Sequence, residues 1–174
     1  MVETQAGLPA VLLSIRPEWC KKILAGEKNF EIRKSAPQLP GPFQCYVYCT
    51  QQKSGEAPLL VQVGDGQSYV GNGFVIASFV CDEVRNLSAP CSDADAEGSC
   101  LTAEQLDAYA SGSPIRAWHI QALTVFEKPL PLSSLVGLTK NKFGYAPRKM
   151  TSPPQSWRYV RNLKGMQIPN LKPL

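Results

Sequence analysis

Apolar positions along this chain switch between helical and strand spacing several times. Trp19, Cys20, Ile23 and Leu24 share one helical face, while Lys21, Lys22 and Ala25 lie elsewhere. Pro17 suits the first position of that helix, where a missing N–H costs nothing. Glu18 falls in the first turn, where the helix dipole favours an anion. Gly26 follows the last periodic residue and is placed to cap the helix in the left-handed conformation. From residue 29 to 33 the rhythm becomes alternating: Phe30 and Ile32 point one way, Glu31 and Arg33 the other.

Strand spacing dominates the remainder. Val11 to Ile15 predict a first strand, and the three prolines between Ser35 and Pro42 predict a loop. Phe43, Cys45, Val47 and Cys49 alternate with Gln44, Tyr46, Tyr48 and Thr50. Gly64-Asp65-Gly66 predicts a hairpin between 59–63 and 67–70, and Asn72-Gly73 a tight turn before a long strand at 74–80. Residues 86–100 read as loop. Thr102, with Gln105 three residues on, predicts a capping box and a helix through Tyr109. Residues 115–126 read as one strand with a bend. Beyond Pro129 the chain reads as extended, ending in a short strand near Trp157–Val160. Many short strands with helices between them predict an α+β fold in one domain, which 174 residues suit. Residues 1–9 are expected to be a flexible start.

The turn after the first helix carries the densest chemistry. Gly26-Glu27-Lys28-Asn29-Phe30-Glu31-Ile32-Arg33 places two cations and a carboxylate within six residues. Taken alone, Lys28, Glu31 and Arg33 read first as a rim ion-pair set, worth about 0–1 kcal/mol. The sharper reading makes them a polar cluster in a cleft, where arginine offers a planar fork to phosphate or guanine.

Charge placement narrows the partners. The formal net charge is +4, but seven acids stand between Asp82 and Asp107 against Arg85 alone. From Lys128 onward there is no acid, while eight bases occur from Lys140 to Lys172. A basic C-terminal tail, residues 161–174 in particular, suits an anionic polymer such as nucleic acid. No long apolar run suggests a membrane span, and no basic-then-apolar leader is present, so a cytoplasmic location and no membrane partner are expected.

Leu12-Leu13-Ser14-Ile15-Arg16-Pro17-Glu18-Trp19, the helix and the G-x-K-x-x-E-x-R run together resemble the ASCH domain of bacterial and phage proteins. Arg116-Ala117-Trp118-His119-Ile120 and Pro153-Pro154-Gln155-Ser156-Trp157-Arg158-Tyr159-Val160 resemble its late strand and tail, so the likeness spans about residues 10–160. The resemblance implies a PUA-like small β-barrel with two or more short helices. It also implies binding of RNA, single-stranded nucleic acid or a modified nucleoside in the barrel cleft, with Lys28, Glu31, Arg33 and Arg16 as ligand contacts. One branch of these relatives deacylates N4-acetylcytidine with a Lys, a Thr and a Glu, and others are ribonucleases. Lys28 matches the branch's lysine, but its threonine falls on Glu31 and its glutamate on Cys100 or Leu101, near Glu97 and Glu104. The hydroxyl nucleophile is therefore missing from the motif, which demotes hydrolysis. Were the chain a hydrolase, Lys28 and Glu31 would be its catalytic candidates.

Other residues change the picture less. Tyr46 and Tyr48 share a strand face, which suits either ordinary packing or a platform on which bases stack. Trp19, Trp118 and Trp157 read as core or rim packing, and the lone His119 as a structural group. Cys81, Cys91, Cys100 and His119 lack the close pairing of a zinc site, so no metal is expected. The absence of Walker and dinucleotide fingerprints leaves no cofactor expected either.

Overall fold

The computed structural model describes residues 8–164, an α+β fold with three helices and three sheets. The first seven residues, and residues 165–174 of the expected basic tail, lie outside the described residues. Strand β1 (Ala10–Ile15) sits at the middle of a seven-stranded sheet and is buried along its whole length. It pairs in parallel with β3 (Phe43–Cys49), and a parallel pair needs a crossover connection. That crossover is helix α1 (Pro17–Leu24) followed by β2 (Phe30–Arg33), so the topology lifts the polar octapeptide off the sheet.

The large sheet continues antiparallel from β3 to β6 (Phe74–Cys81) and then β9 (Gln121–Pro131). On the other side of β1 lie β12 (Trp157–Val160), β10 (Val136–Asn141) and β11 (Gly144–Lys149). A second sheet joins β2 to β8 (Ile115–His119), and β8 to β7 (Val84–Leu87). The hairpin of β4 (Leu60–Gln62) and β5 (Ser68–Val70) falls where the Gly64-Asp65-Gly66 signal puts it. Helices α2 (Asp93–Ala96) and α3 (Ala103–Ala110) cover the second sheet through Ala96, Leu106 and Ala110, which pack with Phe30, Ile32 and Ile115.

Several details depart from the sequence expectations. Among the described residues β9 and β11 are the two ends of the large sheet's strand order. The expected strand at 115–126 is two strands, because the chain turns away at Ile120, whose N–H donates to the Asn29 carbonyl. Ala122 takes a left-handed φ of 50° just beyond. β8 thus joins the second sheet and β9 the first, and the ladder breaks between them. Residues 86–100 are not all loop. Leu87 is buried opposite Ile115, and the polar Ser92 and Asp95 form a capping box for α2. The extended chain beyond Pro129 folds back as the β10–β11 hairpin, where Pro147 is tolerated because β11 is an edge.

Candidate functional site

Local sequence fixes how the octapeptide enters the site. Arg16 precedes Pro17 in extended backbone, which starts α1 at the end of β1. Gly26 turns the chain with φ +74°, as its cap position requires. The turn after α2 then clamps the next residues: the Gly98 carbonyl accepts the Asn29 and Phe30 N–H groups at 2.7 and 3.0 Å. The following carbonyl, that of Ser99, accepts from Lys28 Nζ at 2.7 Å.

Lys28, Glu31 and Arg33 come together as a buried triad, with 3%, 5% and 8% of their surfaces exposed. Burial therefore replaces the rim ion-pair reading. Arg33 Nη2 lies 2.8 Å from Glu31 Oε1 and also donates to the Ser14 carbonyl at 2.9 Å. Its Nη1 donates to the Ser156 carbonyl and hydroxyl at 3.2 and 3.3 Å. Arg33 thus ties β2 to β1 and to the residue before β12, and its fork is largely used inside the protein. Lys28 Nζ lies 3.5 Å from Glu31 Oε2 and 5.2 Å from the Trp19 ring centroid. Desolvation holds the Lys28 pKa below its ordinary value, and Glu31 offsets part of that shift.

The triad forms the floor of a cleft of about 620 Å³. Glu31 Oε2, Arg33 Nε and Ser14 Oγ are buried there without a hydrogen-bond partner. Glu31 Oε2 is close enough to Lys28 for an ion pair, but the two groups are not aligned as a hydrogen bond. Orphaned buried polar atoms are uncommon, because each costs about 1–3 kcal/mol. All three atoms belong to residues that line the cleft. A neighbouring hollow of about 520 Å³ is bordered by Lys34, Asp82 and Glu83, all exposed, and contains no comparable buried charge.

Arg16 lies exposed at the mouth of the cleft. Tyr46 and Tyr48 do not join it, and the expectation of a stacking platform there is corrected. Both are buried on the opposite face of β3 with Leu12, Phe126 and Val160. Tyr46 donates its hydroxyl to Asn162 Oδ1 and accepts the Leu163 N–H, and burial pushes its pKa up to about 12. His119 Nδ1 lies 2.6 Å from Asp82 Oδ1, outside the cleft. Among the described residues no three His, Cys, Asp or Glu side chains are grouped to hold a metal ion. Nor is any helix there long and apolar enough to cross a membrane.

Sequence reasoning missed several residues around the triad. Gln105 and Tyr109 reach the cleft from α3, four residues apart and so on one face, next to the face that buries Leu106 and Ala110. Ser14 is the only polar residue in the strand Ala10–Ile15, a signal that could have marked it. Thr50 contributes from the end of β3, and Pro153, Pro154 and Gln155 form a wall ahead of β12.

No protein-family model matches the sequence, and neither does any curated protein. The fold itself is that of ASCH proteins. The crystal structure of ASCH from Zymomonas mobilis is similar to this chain, with a TM-score of 0.60 and 18% identity, over 87% of each chain. Two single-residue variants of that protein also give a TM-score of 0.60, at 17% identity. They cover 87% and 88% of this chain and 90% and 92% of theirs. This chain therefore has the fold of an ASCH domain.

Proposed function

We propose that the cleft is PUA-like in role and binds one unpaired base of RNA, of another single-stranded nucleic acid, or of a modified nucleoside. The observation that carries this reading is a cleft lined by three buried polar atoms that make no hydrogen bond, Glu31 Oε2 (ion-paired to Lys28 at 3.5 Å), Arg33 Nε and Ser14 Oγ. Together they offer an acceptor, a donor and a hydroxyl that can do either. A base edge with an exocyclic amino group next to a ring acceptor complements that set, as in carboxylate recognition of cytosine N4. The cleft volume of about 620 Å³ lies within the roughly 300–1,000 Å³ range of small-ligand sites. Trp19 and Tyr109 supply aromatic surface at its border, and base–aromatic stacking is worth about 1–3 kcal/mol per base. Titrating labelled single-stranded RNA, the matching DNA and free nucleosides into the protein tests the reading. Saturable binding that weakens in Ser14→Ala is expected, and no binding of any of these would sink it.

One observation favours a second reading, a small hydrolase acting on RNA or an N4-acylated cytidine. Burial raises the fraction of Lys28 that is neutral, and a neutral lysine can take a proton. The hydroxyls of Ser14 and Thr50 border the same cleft, although the motif itself supplies none. In this reading Lys28 is the base and Glu31 the catalytic carboxylate. Chromatography of N4-acetylcytidine and of an RNA oligonucleotide after incubation with the protein tests it. Turnover abolished by Lys28→Met supports hydrolysis, and unchanged substrates rule it out.

A further inference from the structure

The β10–β11 hairpin is basic and aromatic at its tip, and it joins the large sheet where Gly137 pairs with Val160. Lys140, Lys142, Arg148 and Lys149 are all exposed, and no ion pair involves any of them among the described residues. The chain from residue 128 to 164 offers no acid to neutralise them. Phe143 occupies the turn between the strands and is 88% exposed, with Lys142 Nζ 4.9 Å from its ring centroid. A single exposed aromatic is ordinary on a protein surface. Here the ring has a lysine over its face, and the nearby Lys140 donates to a neutral acceptor, Gln38 Oε1, at 3.3 Å.

Register connects this hairpin to the cleft. Val136 pairs with Lys149 and Lys140 with Tyr145, so Lys140, Tyr145 and Lys149 share one face of the hairpin. On that face Tyr145 packs against Tyr159, with centroids 5.2 Å apart, and Tyr159 against Trp157 at 5.3 Å. Trp157 follows Ser156, the residue held by Arg33, and Pro153 to Gln155 wall the cleft. Lys149 and Pro153 are four residues apart, so the chain between them spans at most about 14 Å.

We propose that the hairpin is a second contact element for a single strand of nucleic acid, with phosphates on Lys140, Lys142 and Lys149 and an unpaired base on Phe143. The strand leaves the cleft past the Pro153–Gln155 wall and continues along β11. Backbone charge and base faces are what such a strand presents, and cations with a free aromatic ring recognise both. This proposal rests on the nucleic-acid reading of the cleft.

Fluorescence anisotropy with a labelled single-stranded RNA and the matching DNA, at several salt concentrations, tests it. Wild type is compared with Lys140→Ala/Lys142→Ala/Lys149→Ala, with Phe143→Ala, and with Ser14→Ala in the cleft. The triple variant is expected to reduce the log–log salt slope by about 2, since each phosphate contributes about 0.7 on a single strand. Phe143→Ala is expected to weaken binding about tenfold at an unchanged slope. Binding that is weakened by Ser14→Ala but untouched by either hairpin variant overturns the hairpin and leaves the cleft reading standing. Loss in the hairpin variants with Ser14→Ala unaffected would place nucleic acid on the hairpin alone and overturn the proposed path from the cleft. No oligonucleotide binding by wild type, or binding of anionic lipid vesicles in its place, overturns both.

Discussion

Glu31 and Arg33, two residues apart on β2, meet at 2.8 Å with both side chains buried. Arg33 spends its Nη atoms on Ser14, Ser156 and Glu31, which locks three chain segments together. Glu31 Oε2 makes no hydrogen bond and lies 3.5 Å from Lys28 Nζ. The carboxylate is therefore the counter-charge of two buried cations, with one oxygen that makes no hydrogen bond, and both features can be tested.

Glu31→Gln keeps the shape and a neutral acceptor for Arg33 but leaves two buried cations without their counter-ion. Removing one partner of a buried pair costs about 3–5 kcal/mol. At roughly 2–4 °C per kcal/mol for a chain of this size, Tm should fall by about 10 °C. Calorimetry that finds Tm unmoved would show that the pair contributes nothing to folding.

Lys28 gives stability a distinctive pH dependence. Its folded pKa lies below the 10.5 of an ordinary lysine, so at alkaline pH the unfolded chain binds more protons at this site than the folded one. Stability must then rise with pH between the folded and unfolded values, as the desolvated charge is relieved. Urea midpoints for wild type and Lys28→Met at pH 7, 8, 9 and 10 should shift in favour of wild type as pH rises. Parallel curves would mean that Lys28 keeps its ordinary pKa in the fold.

Ser14→Ala separates stability from binding. The Ser14 hydroxyl is buried and unpartnered, so removing it should leave Tm unchanged or slightly higher. Ligand affinity should fall about fivefold, the equivalent of roughly 1 kcal/mol for one neutral hydrogen bond. A Tm drop with unchanged affinity would make Ser14 a packing residue.

Tyr46→Phe should do the reverse. It removes a hydroxyl that bonds Asn162 Oδ1 and the Leu163 N–H, leaving both without that partner. A loss of about 1–3 kcal/mol in chemical denaturation is expected, with nucleic-acid affinity unaltered. Weakened binding at full stability would restore Tyr46 to the site.

Local signals in the sequence determined the helix at Pro17–Leu24, the capping box of α3, the Gly64-Asp65-Gly66 hairpin and the short strand at Trp157–Val160, because each depends on neighbours within a few residues. They also gathered Lys28, Glu31 and Arg33, since the turn and the alternation of β2 set those side chains on one side. Tertiary structure decided what surrounds them. Tyr46 and Tyr48 look like an exposed strand face until a second apolar cluster covers it, which no alternation can reveal. The division of 115–126 into β8 and β9 follows from pairing with β2 on one side and β6 on the other. Ser14, Thr50, Gln105 and Gln155 come from four distant segments, and only the parallel β1–β3 crossover and the packing of α3 on β2 bring them around one triad. Periodicity tells which way a residue points, and long-range packing determines what it meets there.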